Sequence, residues 1–171
     1  MVLRGQKVKL VPITKNDTML IVKWRNTESV RKNFIFQEKF TNEMHNYWMD
    51  TEVASGRVIQ YIIYEIDTEQ PIGSVYLRDI DYKNKKAEFG IFIGEEEKRG
   101  NGYGRESATL ICEYAFTQLG IHKIMLRVFA DNKRAVDSYL AVGFEKEALL
   151  KDEILQNGGY RNIILMAKFW G

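Results

Sequence analysis

The feature of this sequence that most restricts its fold is the run from 99 to 104, Arg-Gly-Asn-Gly-Tyr-Gly, in which three glycines alternate with larger residues. The residues before it alternate like β-strands, and those after it place apolar side chains on one helical face. Successive N–H groups of a glycine-rich turn form a concave nest, and a helix N-terminus adds unpaired N–H groups and the positive end of its dipole. Any Cβ would hold an anion away from this backbone and exclude positive φ. The run therefore predicts a pyrophosphate-binding loop between a strand and a helix.

Two familiar phosphate-binding loops do not fit this run. The Walker loop needs Lys and then Ser or Thr after its last glycine, whereas Gly104 is followed by Arg and Glu. The dinucleotide-binding fingerprint needs its third glycine three positions after the second, whereas Gly104 follows Gly102 by two. A turn that binds nothing stays open as an alternative, because the glutamates at 95–97 offset the nearby basic residues and leave binding to backbone donors.

Periodicity along the rest of the chain predicts one α+β domain that spans residues 1–171. Runs of β-rich sequence separated by turn-forming clusters give about seven strands, and stretches with helical spacing give about four helices. The predicted order is a strand, two helices, three strands of an antiparallel meander, a helix, a strand, a helix and two strands. Asp131 or Asn132 is the predicted N-cap of the last helix, and Gly143 is its predicted stop.

Charge and composition exclude several classes of partner. The 25 Lys and Arg residues are balanced by 23 Asp and Glu and are scattered rather than clustered, so nucleic acid is not an expected partner. No apolar run approaches a membrane span, and the N-terminus lacks the apolar core of a signal peptide. The single cysteine, Cys112, excludes an internal disulfide and fits a reducing compartment. We therefore expect a cytoplasmic protein that binds no membrane, and no metal, because the two histidines lie far apart in sequence.

Two motifs resemble those of a known family. The run Arg99 to Gly104 matches the Arg/Gln-x-x-Gly-x-Gly/Ala loop of the GCN5-related N-acetyltransferases, which in that family holds the pyrophosphate of acetyl-coenzyme A (acetyl-CoA). A second match, Asn132-x-x-Ala135-x-x-x-Tyr139-x-x-x-Gly143-Phe144, lies at the expected distance downstream. The runs VKWRNTESVRKNF and IGSVYLRDID look most like the branch with ribosomal-protein N-terminal acetyltransferases and acetyltransferases of nucleotide-linked amino sugars. Polyamine acetyltransferases lie close to that branch.

The resemblance implies a three-layer sandwich with a mixed, mostly antiparallel sheet. It also implies an enzyme that moves the acetyl group of acetyl-CoA directly to a primary amine. The acceptor stays open among a protein N-terminus, a nucleotide-linked amino sugar, a polyamine and an antibiotic amine, and a homodimer is one possible assembly. The alternative is a non-catalytic module of the same fold that senses acetyl-CoA or a partner protein. The residues expected to contact acetyl-CoA are Phe92, Ile93, Arg99, Gly100, Asn101, Gly102, Tyr103, Gly104, Arg105 and Asn132.

The chemistry of acetyl transfer assigns further roles. The reaction needs a neutral amine, donors to the oxyanion and a proton for the departing thiolate. The backbone N–H groups of Phe92 and Ile93, at a strand end, are candidates for polarising the thioester carbonyl. A lysine-like amine is neutral only about once in two thousand molecules at pH 7, so a base matters most for basic acceptors.

Glu88 is the candidate base. It precedes Arg99 by eleven residues, which is the spacing of the base glutamate in the histone-acetylating members that this chain resembles. An exposed strand glutamate is the alternative. In related N-terminal acetyltransferases a glutamate on the next strand is the base, and the matching position here holds Arg127. A water chain in place of a direct base therefore also stays open.

Tyr139 is the candidate general acid. It follows Asn132 by seven residues, two helical turns, so both side chains face the same way. The resemblance implies that its hydroxyl protonates the departing thiolate, and a core tyrosine is the alternative. Cys112 lies on the apolar face of a helix and is not expected to carry an acetyl group. The predicted acceptor-binding residues are Arg25, Asn26, Arg31 and His45, with Arg25 and Arg31 suited to an anionic acceptor, whereas Trp24 and Trp48 fit the core better.

Overall fold

The computed structural model describes the whole chain from Met1 to Gly171. The strands are β1 Leu3–Arg4, β2 Val8–Pro12, β3 Ile59–Glu65, β4 Pro71–Asp81, β5 Lys86–Ile93, β6 Lys123–Phe129, β7 Glu145–Gln156 and β8 Gly159–Phe169. The α-helices are α1 Thr18–Arg25, α2 Glu28–Arg31, α3 Asn42–Trp48, α4 Tyr103–Thr117 and α5 Lys133–Val142, and a π-helical turn, Met49–Val53, continues α3. No helix is both long enough and apolar enough to cross a membrane.

All eight strands form one sheet in the order β1-β2-β3-β4-β5-β6-β8-β7. Every neighbouring pair is antiparallel except β5 and β6, which are parallel. The α+β class and the mixed, mostly antiparallel sheet are therefore confirmed. The predicted counts of seven strands and four helices missed β1 and α2, because elements of two and four residues are too short to show a period.

Helices pack on both faces of the sheet, as the strand period requires. In β3, Ile63 belongs to a core cluster of 23 buried residues shared with α4 and α5. Its neighbour Ile62 points to the other face and belongs to a cluster of seven buried residues shared with α1, α2 and the π-helical turn. Trp24 is a member of the second cluster and is only 1% exposed, which confirms the core interpretation for this residue, whereas Trp48 is only half-buried. The three layers predicted from the resemblance are present.

The sheet splits between its two parallel strands. β5 and β6 pair only at Lys86–Lys123, Ala87–Ile124 and Glu88–Met125, although β5 continues to Ile93 and β6 to Phe129. Beyond Glu88 the two strands therefore diverge and leave unpaired backbone edges on either side of a cleft. The glycine loop follows β5 after a short 3-10 turn, Glu96–Lys98, and α5 follows β6, so both motifs that the sequence singled out lie at the split.

Candidate active site

One cavity of about 1960 Å³ occupies the split and extends over the face covered by α1 and α3. It exceeds the roughly 300–1,000 Å³ of a typical single-ligand pocket, so it has room for two substrates. We call the end lined by the glycine loop and the start of α4 the donor half. We call the part lined by Arg25, His45 and Tyr76 the acceptor half. Glu88 and Tyr139 line the same cavity.

The glycine loop has the conformation that a phosphate nest needs. Gly100 and Gly102 adopt positive φ, 79° and 84°, which a residue with a Cβ rarely adopts. Gly102 is the N-cap of α4, so the unpaired N–H groups of the first helical turn follow it directly. Gly104 is different, because its φ is ordinary and a Cβ there would touch nothing closer than Cδ1 of Ile91, at 4.0 Å. No protein atom requires glycine at 104, and the open space lies in the cavity, which fits close approach of a pyrophosphate.

Glu65 holds the two sides of the loop in place, a role that sequence reasoning missed. This buried carboxylate at the end of β3 accepts a hydrogen bond from Nζ of Lys98 at 2.7 Å and others from the hydroxyls of Tyr103 and Thr68. The hydrogen bond from Lys98, followed by those from the two hydroxyls, lowers the pKa of Glu65 to about 2. The carboxylate is therefore ionised at neutral pH and ties the loop to β3.

The predicted donor-site residues divide into those that face the cavity and those that hold the loop. Asn101 does not line the cavity, and its side-chain amide donates to the carbonyls of Lys98 and Arg99 instead. The guanidinium of Arg99 donates to the carbonyl of Ile93 at 2.8 and 3.0 Å and so fixes the end of β5. Arg105 is exposed at the rim of the cavity. Asn101 therefore shapes the loop, whereas Arg99 both holds the end of β5 and lines the cavity.

Arg134, on the first turn of α5, is a cation beside the loop that the sequence motifs did not indicate. Its Nη2 lies 2.9 Å from the position that a Cβ on Gly100 would take, and the side chain has no acidic partner. Asn132 caps the same helix by accepting a hydrogen bond from the N–H of Ala135 at 3.3 Å, which confirms the predicted cap. Gly143, at φ 99°, ends the helix as predicted.

The two N–H groups predicted to polarise the thioester point in different directions. The N–H of Gly94 donates to Ile72 on β4 at 2.8 Å, and the direction of N–H groups alternates along a strand. The N–H of Phe92 therefore points towards β4, whereas that of Ile93 points into the split, where β6 no longer pairs. Phe92 instead buries its ring in the second core cluster, against Trp24 and Phe34. Of this pair, only Ile93 has its N–H directed away from β4 and into the split.

Glu88 sits where β5 and β6 diverge and is flanked by two arginines. Its Oε1 accepts hydrogen bonds from Nη2 of Arg78 at 3.0 Å and from Nε of Arg127 at 2.8 Å. Its Oε2 accepts none from the protein, and the side chain is 19% exposed. Arg127, which occupies the alternative base position, thus holds one oxygen of Glu88 and leaves the other available to a proton.

Tyr139 lies on α5 with its ring against Phe89 and Phe144, at centroid distances of 5.9 and 6.0 Å. Its hydroxyl has no protein partner, and burial raises its pKa, so it keeps its proton at neutral pH. Tyr76, on β4, was not predicted as a site residue. Its ring covers Gly90 so closely that a Cβ there would collide with it. Tyr76 lines the cavity together with Arg25, Arg78, Glu88 and Arg127.

The four predicted acceptor-binding residues do not all reach the cavity. Arg25 and His45 line it. Arg31 does not, because it is exposed and its Nε donates to the carbonyl of Gln37. Asn26 is also outside, because its amide donates to the carbonyls of Val22 and Phe40 and its oxygen accepts from the N–H of Phe40. Asn26 thus joins α1 to the following segment, and the sequence prediction for Arg31 and Asn26 is corrected.

The remaining candidate groups are the metal-ligating side chains and the single thiol. No cluster of three or more His, Cys, Asp or Glu side chains is arranged to hold a metal ion. Cys112 is fully buried, and burial raises its pKa to about 12, so the thiol is protonated and out of reach of a thioester. The cavity therefore offers a phosphate nest, a carboxylate and a hydroxyl as its working groups.

Comparison with known proteins shows the family to which the chain belongs. The family model described as "Acetyltransferase (GNAT) domain" matches residues 7–145. Spermidine N(1)-acetyltransferase of Escherichia coli K12 is 32% identical over 167 residues, which cover 96% of this chain and 87% of that protein. The [ribosomal protein uS5]-alanine N-acetyltransferase of the same strain is 29% identical over 113 residues, 66% of this chain and 58% of that protein. Spermidine N-acetyltransferase from Vibrio cholerae, solved with CoA and spermine, superposes with a TM-score of 0.89 at 25% identity and 96% coverage of both chains.

The split mixed sheet with a glycine loop at its open end is therefore a fold that this chain shares with an acetyltransferase solved with CoA. The chain belongs to the GNAT family, the GCN5-related N-acetyltransferases, and is an acetyl-CoA-dependent N-acetyltransferase.

Proposed function

We propose that this chain acetylates the primary amine of a small-molecule acceptor bound in the acceptor half, by direct transfer from acetyl-CoA bound in the donor half. The observation that supports this most is that the glycine loop, Glu88 and Tyr139 line one cavity large enough for both substrates. Direct transfer requires both substrates to be present together, and a buried Cys112 offers no covalent route.

Each step has a group of this chain to perform it. Oε2 of Glu88 takes the proton of the acceptor ammonium, directly or through one water, while Arg78 and Arg127 keep the carboxylate oriented through Oε1. The N–H of Ile93 stabilises the negative charge that develops on the thioester oxygen. The hydroxyl of Tyr139, protonated because its pKa is raised by burial, protonates the departing thiolate. The second proton, which the attacking nitrogen loses as it becomes the amide, restores the Tyr139 hydroxyl.

Acetyl-CoA supplies the activated acetyl group in this scheme. The glycine loop and the first turn of α4 would hold its pyrophosphate through backbone N–H groups, with Arg134 and Arg105 as the nearby cations. Gly104, which the fold itself does not require, leaves room for that contact.

Two acceptor classes have specific support. The relatives named for spermidine favour a polyamine, whose basic amines need a base such as Glu88. The side chains of the acceptor half favour an amine that also carries an anionic group, because Arg25 lines this half of the cavity and has no counter-ion in the protein.

Turnover separates this enzyme from a sensor of the same fold. Purified protein is incubated with acetyl-CoA and a panel of spermidine, glucosamine, glucosamine 6-phosphate and an alanine-initiated peptide, and the released CoA thiol is measured. We expect acceptor-dependent thiol release with at least one amine, and a mass increase of one acetyl group on that amine. Binding of acetyl-CoA without release for any acceptor would favour the sensor.

A further inference from the structure

Arg25 differs from the other arginines that line the acceptor side of the cavity, because it has no carboxylate partner. Arg57 pairs with Glu52, Arg161 pairs with Asp131, and Arg78 and Arg127 share Glu88. Arg25 has no carboxylate within 4.0 Å and donates no hydrogen bond to the protein. A cation that lines a cavity without a protein counter-ion is a candidate partner for an anionic ligand.

The packing around Arg25 holds its guanidinium in a fixed position. The carbon Cζ lies 3.8 Å from the ring centroid of Phe34 and 4.4 Å from that of Phe40. Aromatic rings contact a guanidinium through its faces and leave the in-plane N–H groups free to donate. Burial lowers the pKa of Arg25, because its charge lies in a partly dehydrated place. A partly dehydrated cation is stabilised most by a ligand that brings a negative charge next to it.

His45 supplies an independent sign that a polar ligand belongs beside Arg25. The imidazole is only 1% exposed, and its ring packs edge-on against Phe40. Thr18 donates its hydroxyl to Asn46, so Nδ1 of His45 donates to Thr18 at 2.9 Å and Nε2 is left as an acceptor. Nε2 has no partner although the residue lines the cavity. Burial, with a smaller effect from Arg25, lowers the pKa of His45 to about 4, so the ring stays neutral.

We propose that Arg25 and His45 form a subsite for an acceptor that carries an oxyanion, a phosphate or a carboxylate, in addition to its reacting amine. Arg25 binds the oxyanion, and Nε2 of His45 accepts a hydrogen bond from a neighbouring hydroxyl or N–H of the same ligand. Arg25, His45, Tyr76 and Glu88 line the same cavity, so an acceptor held by its anion at Arg25 can present its amine to Glu88. The inference rests on the proposed function for the amine, but the anion subsite can be tested without turnover.

The direct test uses oxyanions as probes on the protein saturated with CoA, so that the glycine loop is already occupied. The melting temperature is measured with sodium phosphate and, separately, sodium acetate, each against chloride at equal ionic strength. Arg25→Met keeps an apolar stem between the two rings and removes the charge. Lys23→Gln removes a charge from the exposed side of the same helix and is the matched control.

We expect at least one oxyanion to raise the melting temperature of the wild type and of Lys23→Gln, but not that of Arg25→Met. A response to phosphate alone would assign a phosphate, and a response to acetate alone a carboxylate. No response in the wild type, or an equal response in Arg25→Met, would overturn the subsite.

Kinetics with glucosamine and glucosamine 6-phosphate test the same subsite through the reaction, since the two amines differ by one phosphate. We expect kcat/KM to favour the phosphorylated amine by ~10- to 10²-fold in the wild type, and Arg25→Met to remove most of that preference. If spermidine is acetylated best and Arg25→Met leaves every ratio unchanged, the acetyltransferase function stands and the subsite is wrong. If no amine is acetylated at all, the proposed function fails while the oxyanion measurement still decides the subsite.

Discussion

The two halves of the cavity are built in different ways. The donor half is made mainly of backbone from one continuous segment, residues 99–104 and the first turn of α4, and is held by a few anchors such as Glu65. The acceptor half is made of side chains from segments far apart in the sequence, such as Arg25, His45 and Tyr76. Backbone donors remain when most side chains are replaced, whereas a site of converging side chains loses a contact with each replacement. Substitutions should therefore affect the two halves differently.

The largest expected effect is the loss of the donor half by Gly104→Val. Because the φ of Gly104 is ordinary and its Cβ position is open, valine should be accommodated by the helix, where it is no less favourable than glycine. The added methyl groups fill the space that the pyrophosphate needs. We expect kcat/KM for acetyl-CoA to fall by on the order of 10³-fold, about 4 kcal/mol.

Thermal unfolding separates this effect from misfolding. Acetyl-CoA at a hundredfold excess over its Kd should stabilise the wild type by about 2.7 kcal/mol and Gly104→Val by almost nothing. The unliganded variant should melt close to the wild type. Thr109→Val, on the outer side of the same helix, is the control and should keep the full shift. A preserved shift in Gly104→Val would remove the pyrophosphate interpretation of the loop.

The next largest effect is expected for Glu88, the proposed base, and Glu88→Gln tests it. This change keeps the shape of the side chain and removes the base. We expect kcat/KM for the amine to fall by ~10²-fold or more near pH 7 and to recover partly at higher pH, where more of the acceptor is already neutral. Glu147→Gln, an exposed partner of Lys123 outside the cavity, should keep the wild-type rate. If the pH profile of Glu88→Gln is that of the wild type, Glu88 only holds Arg78 and Arg127.

These halves also differ in how far the sequence predicted them. Contiguous motifs and their spacing were enough to predict the glycine loop and the Asn132 cap. They also singled out Glu88 and Tyr139, which line one cavity. The prediction that Asn26 and Arg31 bind the acceptor was wrong, because a helix can present either side chain to solvent or to its own loop. Sequence spacing does not distinguish these directions. Glu65, Tyr76 and Arg134 were missed because only the sheet register and the crossing of α5 bring them to the site. Short elements such as β1 and α2 left no period to detect.

Tyr139→Phe tests the catalytic step without disturbing either half. The ring remains to pack against Phe89 and Phe144, and only the hydroxyl is lost. A thiol of pKa ~8.5 leaves more easily when it is protonated as the bond to carbon breaks, so the hydroxyl acts in the transition state. We expect kcat and kcat/KM to fall together by ~10- to 10³-fold, with the Kd of acetyl-CoA unchanged. Tyr82→Phe, in the exposed β4–β5 turn, should have no effect.

Two results would contradict this role for Tyr139. Joint loss of acetyl-CoA affinity and thermal stability would make it a packing residue of the core. Full activity in Tyr139→Phe would mean that water protonates the thiolate.

The smallest expected effect concerns the side-chain anchor of the donor half, Glu65. Its pKa is lowered from 4.5 to about 2, chiefly by the hydrogen bond from Lys98, so its contribution to stability is complete above about pH 4.5 and is lost as the pH falls towards 2. Glu65→Gln should therefore melt lower than the wild type at neutral pH, and the difference should shrink between pH 4.5 and 3. Because the anchor shapes the loop without touching substrate, KM for acetyl-CoA should rise only ~3- to 10-fold while kcat changes little. Glu69→Gln, an exposed glutamate after the same strand, serves as the control and should show neither effect. A lowered kcat with unchanged KM would place Glu65 in the reaction itself, and the division between a backbone donor half and a side-chain acceptor half would then have to be redrawn.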